Sequence, residues 1–167
     1  MLSLDIDAAG IERLIPHRPP LRLVDRIDGF APGRSPRLRA WLEIDGREPV
    51  FAGHFPGAPI WPGAYLIEGV AQCAGLLLAL QSIHASTGEA GLRSSSEPGR
   101  PIATGLLARA ALDFRAPVRP PASLRYEVQL LGSFGDLIKI DGHVTVEGKT
   151  VAEGSVVVVP GPLEPAP

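Results

Sequence analysis

The stretch Gly63–Ser82, GAYLIEGVAQCAGLLLALQS, holds no proline and is apolar almost all round. A helix with that profile has no wide polar face to turn to water, so it must be buried with other elements packed around it. Downstream of it, residues 104–115, 123–134, 137–146 and 149–159 read as β-strands, the last ending in Val156–Val159. The triplet Glu147–Gly148–Lys149 marks a hairpin between the final two. Upstream, 21–30 and 36–44 alternate loosely and suit two strands joined by a turn at Ala31–Arg34, and 7–15 suits a short helix with Asp7 as its N-cap. The order is short helix, two strands, long buried helix, four strands. An α+β architecture, one antiparallel sheet wrapped around one long central helix, satisfies it. No internal repeat is evident.

Two flanks of the central helix differ in character. Residues 53–63, GHFPGAPIWPG, place Pro56, Pro59 and Pro62 three apart with Gly53, Gly57 and Gly63 between and around them. Proline fixes its own φ and extends the residue before it, while glycine permits tight turns, so this is a stiff, shaped loop. The other flank, 84–101, HASTGEAGLRSSSEPGRP, is polar and turn-rich and reads as a mobile loop. The segment from Pro160 to Pro167 reads as a disordered tail.

A chain of 167 residues favours one domain, spanning 1–160, and its 45% hydrophobic and 20% charged content suffices for a packed core. The formal charge of −2, with 14 of the 16 basic residues arginine, lacks the concentrated positive field that nucleic acid requires. A single cysteine, Cys73, excludes an internal disulfide and any multi-cysteine zinc site. The first residues, MLSLDIDAAGIERLI, carry acids where an export signal carries bases, and the longest apolar run, near 73–80, is too short to span a bilayer. The expected setting is cytoplasmic and reducing.

Chemistry concentrates between Phe51 and Gln81. His54 lies in the stiff loop, Glu68 follows 14 residues later on the buried helix, and Gln72 is one turn beyond Glu68 on the same face. That stripe continues through Gly75 and Ala79, small enough to leave room beside the polar pair. The opposite side carries Leu66, Val70, Cys73, Leu77 and Leu80 as core contacts. A carboxylate on an apolar helix is costly unless partnered or protonated, and an acid/base pair explains it. Singly, each residue has an ordinary reading: His54 as a satisfied loop histidine, Glu68 as a carboxylate favoured by the helix N-terminus, Gln72 as a polar filler. The stiff loop that fixes His54 favours the joint reading.

At these residues a resemblance becomes specific. Residues 53–72, GHFPGAPIWPGAYLIEGVAQ, resemble the signature of the hot-dog-fold 3-hydroxyacyl-acyl-carrier-protein dehydratases in their His-to-Glu spacing and carboxylate-x-x-Ala-Gln ending. LIPHRPPLRLVDRI (14–27) resembles the start of that fold, and LDFRAPVR (112–119) the strand after its helix, so the likeness covers most of 10–159. Glutamate at 68, where the dehydratase/isomerase branch carries aspartate, resembles the dehydratase-only branch. The chain departs from the family at Pro117-Val118-Arg119-Pro120-Pro121-Ala122, which loses a Gly-Asp turn, in its longer 84–101 loop and in its scarce lysine. These departures bear on chain length and carrier docking and leave the His/Glu pair intact.

The resemblance implies reversible removal of water from 3-hydroxyacyl thioesters to trans-2-enoyl thioesters, in fatty-acid or polyketide-type synthesis. His54 would be the base at C2. Glu68, its pKa raised by apolar surroundings, would protonate or position the departing hydroxyl. Gln72 would position the carboxylate, and the Gly63 N–H at the helix start would bond the thioester oxygen. Phe55, Pro59, Trp61, Tyr65 and Phe114, with Phe51, are candidates to line the acyl tunnel; core packing is the equally ready reading of each. The family implies an obligate homodimer or a higher even oligomer, whose sites take histidine from one subunit and carboxylate from the other. The substrate rides on the 4′-phosphopantetheine of an acyl carrier protein, with no dissociable cofactor. Arg109, Arg115, Arg119 and Arg125 could meet that carrier or be solvated strand residues. His17 is read as structural, His84 and His143 belong to no constellation, and the scattered histidines suggest no metal site. Two other readings remain open: a hot-dog thioesterase using the helix carboxylate to activate water, and a non-catalytic partner subunit of a heteromeric dehydratase.

Overall fold

The computed structural model describes residues 1–93 and 104–161. Seven strands, β1 (Leu2–Ile6), β2 (Arg26–Ala31), β3 (Arg37–Ile44), β4 (Gly105–Phe114), β5 (Ala122–Phe134), β6 (Leu137–Val146) and β7 (Lys149–Pro160), form one sheet. Their spatial order is β1-β2-β3-β5-β6-β7-β4, and every neighbouring pair is antiparallel. The helices are α1 (Ala8–Leu14) and the long α2 (Gly63–Arg93), with a 3-10 turn at Pro49–Ala52.

Alternation explains which face of the sheet meets α2. On β3, Leu38, Ala40, Leu42 and Ile44 are buried while Arg37 and Glu43 face water; on β5, Leu124, Tyr126 and Val128 are buried. A period of two puts each set on one side. Onto it α2 presses Leu66, Val70, Cys73, Leu76, Leu77 and Leu80, none more than 3% exposed. Each fully buried aliphatic side chain of this kind stabilises the fold by about 1.5–3 kcal/mol. The approach is closest at Gly69, where a Cβ would stand 2.4 Å from the Tyr126 hydroxyl oxygen and 2.7 Å from its ring. Only glycine lets the helix lie that near the strand.

Most expected elements are present. Asp7 caps α1, its carboxylate accepting from the Gly10 N–H at 2.8 Å. The hairpin between β6 and β7 turns through Glu147 and Gly148, both at positive φ (50° and 77°). Four corrections follow. β1 is an additional strand, pairing Leu2 with Phe30 and Ile6 with Ile27. Residues 21–25 are not strand; Arg22 holds them, bonding Glu12 at 3.1 Å and Asp25 at 2.8 Å. The helix does not stop near Ser82 but runs on to a kink at Gly88 (φ 67°, ψ −161°), beyond which a second helical piece continues to Arg93. Ser86 and Thr87 fit it by bonding back to the carbonyls of Ser82 and Ile83, and Leu92 is buried at its far end. The first half of the expected mobile loop is therefore helical, and its remainder, 94–101, lies outside the described residues. Finally, β7 runs through Pro160 and the Gly161 N–H donates to the Thr104 carbonyl at 3.0 Å, so 160 and 161 belong to the sheet; the rest of the expected tail, 162–167, lies outside the described residues.

By length and composition α2 is apolar enough to cross a membrane, contrary to the reading from the short run at 73–80. In this fold, 56% of its most apolar window is buried inside the protein.

Candidate active site

The loop ahead of α2 is closed by its own backbone. The His54 N–H donates to the Val50 carbonyl at 2.9 Å, the Ala58 N–H to Phe55 at 3.0 Å and the Ile60 N–H to His54 at 3.1 Å, while the Trp61 N–H reaches the Val118 carbonyl at 2.8 Å. Trp61 is buried and packs on Phe51 and Tyr65 with ring centroids 5.8 Å and 5.3 Å apart, which pins the loop to the core. The His54–Phe55 peptide is cis, and the two rings stack at 4.1 Å. His54 Nδ1 lies 2.8 Å from the Ile60 carbonyl oxygen. A carbonyl only accepts, so Nδ1 carries the hydrogen and a neutral ring has its lone pair on Nε2.

Glu68 stands on the second turn of α2, its side chain about one-third exposed. Gln72 Nε2 donates to Glu68 Oε1 at 2.9 Å and to the Leu21 carbonyl at 2.7 Å, while its own Oε1 accepts from the Leu23 N–H at 2.8 Å. The glutamine thus clips the 21–23 segment to the helix with the same amide that bonds the Glu68 carboxylate. His17 Nε2 also approaches Glu68 Oε1, at 3.3 Å. Contrary to the sequence-based expectation, the Glu68 pKa is lowered: the His17 hydrogen bond outweighs the burial that opposes it, with Gln72 adding to the same side. His17 is the residue that sequence reasoning missed as a member of this cluster. It stands 51 positions before Glu68, and no spacing rule connects them.

The small-residue stripe beyond Gln72 is not open space. Ile15 packs 3.7 Å from where a Gly75 Cβ would be, and Ala79 is buried. At the helix start, the Gly63 N–H donates to no acceptor among the described residues. A Cβ there would meet the Phe114 ring at 3.0–3.4 Å, so glycine admits the phenyl ring beside that N–H. Of the tunnel candidates, Trp61 is core, Tyr65 and Pro59 are half-buried, and Phe55 and Phe114 are about half exposed. Within the single chain, among the described residues, His54 and Glu68 form no hydrogen bond or ion pair with each other.

Among the arginines, Arg115 pairs with Glu153 at 2.8 Å and Asp113 at 3.2 Å, and Arg125 pairs with Glu127 and lies 5.9 Å over Trp41. Arg109 and Arg119 are exposed. His84 meets Phe30 edge-on at 6.3 Å, His143 bonds Thr150 at 2.8 Å, and burial pushes the Cys73 thiol up. Among the described residues, no three His, Cys, Asp or Glu side chains gather in a way that could hold a metal.

The family model for FabA-like domains matches residues 15–155. The chain is 34% identical over 151 residues to a 3-hydroxyacyl-acyl-carrier-protein dehydratase FabZ of Nitratiruptor, covering 90% of this chain and 95% of that protein. It is 38% identical over 149 residues to another protein of that name from Anaeromyxobacter, covering 89% and 85%. Among solved structures, it superimposes on the dehydratase heterocomplex ApeI:P from Xenorhabdus doucetiae with a TM-score of 0.69, 15% identity and 91% coverage of each chain. A hypothetical thioesterase with coenzyme A from Streptococcus pneumoniae gives a TM-score of 0.56 at 10% identity, over 81% and 84%. At such identities the structural likenesses speak for the hot-dog fold alone.

Proposed function

The chain belongs to the FabA-like family and is a hydro-lyase of the 3-hydroxyacyl-acyl-carrier-protein dehydratase type, and on that premise we propose that His54 of one protomer and Glu68 of a second copy form its active site. The observation that carries this reading is the fixed His54 ring, whose tethered Nδ1 leaves Nε2 as a base. Nε2 takes the C2 proton, and the electron pair left behind moves into the thioester carbonyl. The unpaired Gly63 N–H, at the positive end of α2, stabilises the resulting oxyanion. The C3–O bond then breaks, and the hydroxyl departs as water with a proton from Glu68. The lowered pKa means the free chain holds Glu68 ionised, the state suited to the reverse step, where it takes a proton from water attacking C3 while the His54 imidazolium protonates C2. An acyl chain covering Glu68 strips its water and moves it back toward protonation for the forward step.

Dimerisation through β4 supports the two-chain site. This edge strand pairs only with β7, exposes every residue but the half-buried Leu112, and carries exposed Leu106, Leu107 and Phe114. An exposed apolar edge is a template for another strand, and a second copy supplies one. The substrate arrives on the phosphopantetheine of an acyl carrier protein and the reaction needs no dissociable cofactor, in a cytoplasmic setting. The tethered His54, which a carboxylate-only hydrolase does not require, favours dehydration over thioester hydrolysis.

Hydration of a crotonyl thioester, followed by loss of the enoyl absorbance, tests the reading. His54→Ala and Glu68→Gln are each expected to slow it by about 10²–10⁴-fold. Wild-type turnover that survives in both variants, or no turnover at all, would sink it.

A further inference from the structure

We propose that His17 is a positioning residue for Glu68: together with Gln72 it fixes one carboxylate oxygen, Oε1, and leaves Oε2 as the oxygen that meets the substrate. The inference rests on the site proposed above and deepens it. Two side-chain nitrogens from different parts of the chain converge on one atom: Gln72 Nε2 donates to Glu68 Oε1 at 2.9 Å, and His17 Nε2 stands at ion-pair distance, 3.3 Å, from the same oxygen. Among the described residues, Oε2 accepts no hydrogen bond. A carboxylate held at one oxygen from two sides loses rotation about its last bond, and its free oxygen has a set direction.

A merely structural histidine does not account for this geometry. His17 Nδ1 is buried without a hydrogen-bond partner, a cost that packing alone leaves unexplained. The polar contact of the ring is therefore through Nε2, directed at Glu68. The segment carrying His17 is itself held rigidly. Arg18 bonds the carbonyls of Ile15 at 3.1 Å and Glu12 at 2.9 Å, and Arg22 bonds Glu12 and Asp25. Gln72 fastens the far end of the same segment at Leu21 and Leu23. The stretch 15–23 is thus braced at both sides of His17.

Among the described residues, the ionisable group acting on Glu68 is His17, with neutral Gln72 on its own helix; in the proposed dimer His54 of the second copy faces it as well. Removing His17 takes away the largest influence that favours the carboxylate and leaves burial, which favours the acid. Glu68 then titrates at higher pH. In hydration the ionised form is required, so the acid limb of kcat/KM moves up with it.

The test measures Glu68 directly and through turnover. The ¹³C signal of the Glu68 carboxyl, assigned by its loss in Glu68→Gln, is titrated in wild-type protein and in His17→Ala and His17→Gln. In His17→Ala the midpoint is expected to rise, because the burial that favours the acid is then opposed by Gln72 alone. Crotonyl-thioester hydration should lose roughly 10- to 100-fold in kcat with KM within about twofold, and its acid limb should rise. His17→Gln, which keeps a donor, should recover part of both. An unchanged midpoint and acid limb in a folded His17→Ala protein, with only thermal stability reduced, would overturn the inference. A shifted midpoint in a wild-type background that hydrates nothing would uphold the His17–Glu68 relation and instead bring down the dehydratase site.

Discussion

At position 68 two influences oppose each other on one carboxyl group. Burial among apolar neighbours disfavours the charge, and hydrogen bonds from His17 and Gln72 favour it; the bonds win, and the pKa falls below the ordinary 4.5. From the chain alone burial and Gln72, one helical turn away, were legible, whereas His17 reaches Glu68 only through tertiary folding. The sign of the shift has a consequence for stability. A depressed folded-state pKa contributes stability that is fully present above the unfolded value and is lost as pH falls through the folded one. Wild-type protein should therefore lose Tm relative to Glu68→Gln once pH drops below about 4.5. Melting curves of both proteins between pH 6 and pH 3 check this. A Tm difference that stays constant over that range would show that Glu68 is not held as a carboxylate. Because the side chain is partly exposed, the effect is screened by solvent and modest in size.

Between elements, the contact that decides how α2 lies on the sheet is Gly69 against Tyr126. The Tyr126 side chain is wholly buried, yet its hydroxyl has no hydrogen-bond partner among the described residues, and burial pushes its pKa up. Two substitutions should act in opposite directions. Gly69→Ala places a methyl 2.4 Å from that hydroxyl oxygen, which forces the helix and β5 apart, at a cost of about 1–3 kcal/mol. Tyr126→Phe removes an unsatisfied buried hydroxyl and should stabilise by about 1 kcal/mol. The double variant should be more stable than the two changes summed, because the first clash is with the oxygen the second deletes. Urea unfolding of the four proteins measures this, and strict additivity would refute the contact. At this scale the sequence was largely readable. Strands β3 and β5 to β7 and the start of α2 follow from alternation, from apolar continuity and from the Glu147–Gly148 turn. What was not readable is instructive in physical terms. Turn-forming residues such as Ser86 and Thr87 suggested a loop, but their back-bonded hydroxyls carry the helix past Ser82; Gly88 does break it, and a second helical piece burying Leu92 follows to Arg93. The strand β1 is five residues long and owes its existence to pairing with β2, which local propensity does not encode.

On the scale of the whole molecule, the sheet ends at β4 in a row of exposed residues that a monomer has no reason to keep apolar. In the proposed dimer two copies would join along this edge, covering exposed Leu106 and Leu107 and continuing the sheet across the dyad. An interface of this kind is isologous, so whatever one protomer gives to its partner's site it receives at its own. If each site takes His54 from one chain and Glu68 from the other, two inactive variants can complement each other. A His54→Ala chain still carries Glu68, and a Glu68→Gln chain still carries His54. A heterodimer of the two therefore has one site with both groups intact and one site with neither. Unfolding and refolding an equal mixture should yield about half heterodimers, and hence about a quarter of wild-type activity. Each variant refolded alone should stay inactive. The control is Leu106→Lys in both chains: charges on the apolar edge should weaken pairing, shift the mass by sedimentation toward the monomer, and abolish complementation. No recovery from the mixture, with heterodimers demonstrably present by native mass spectrometry, would mean that the histidine and the carboxylate work within one chain, and the two-chain site would have to be given up.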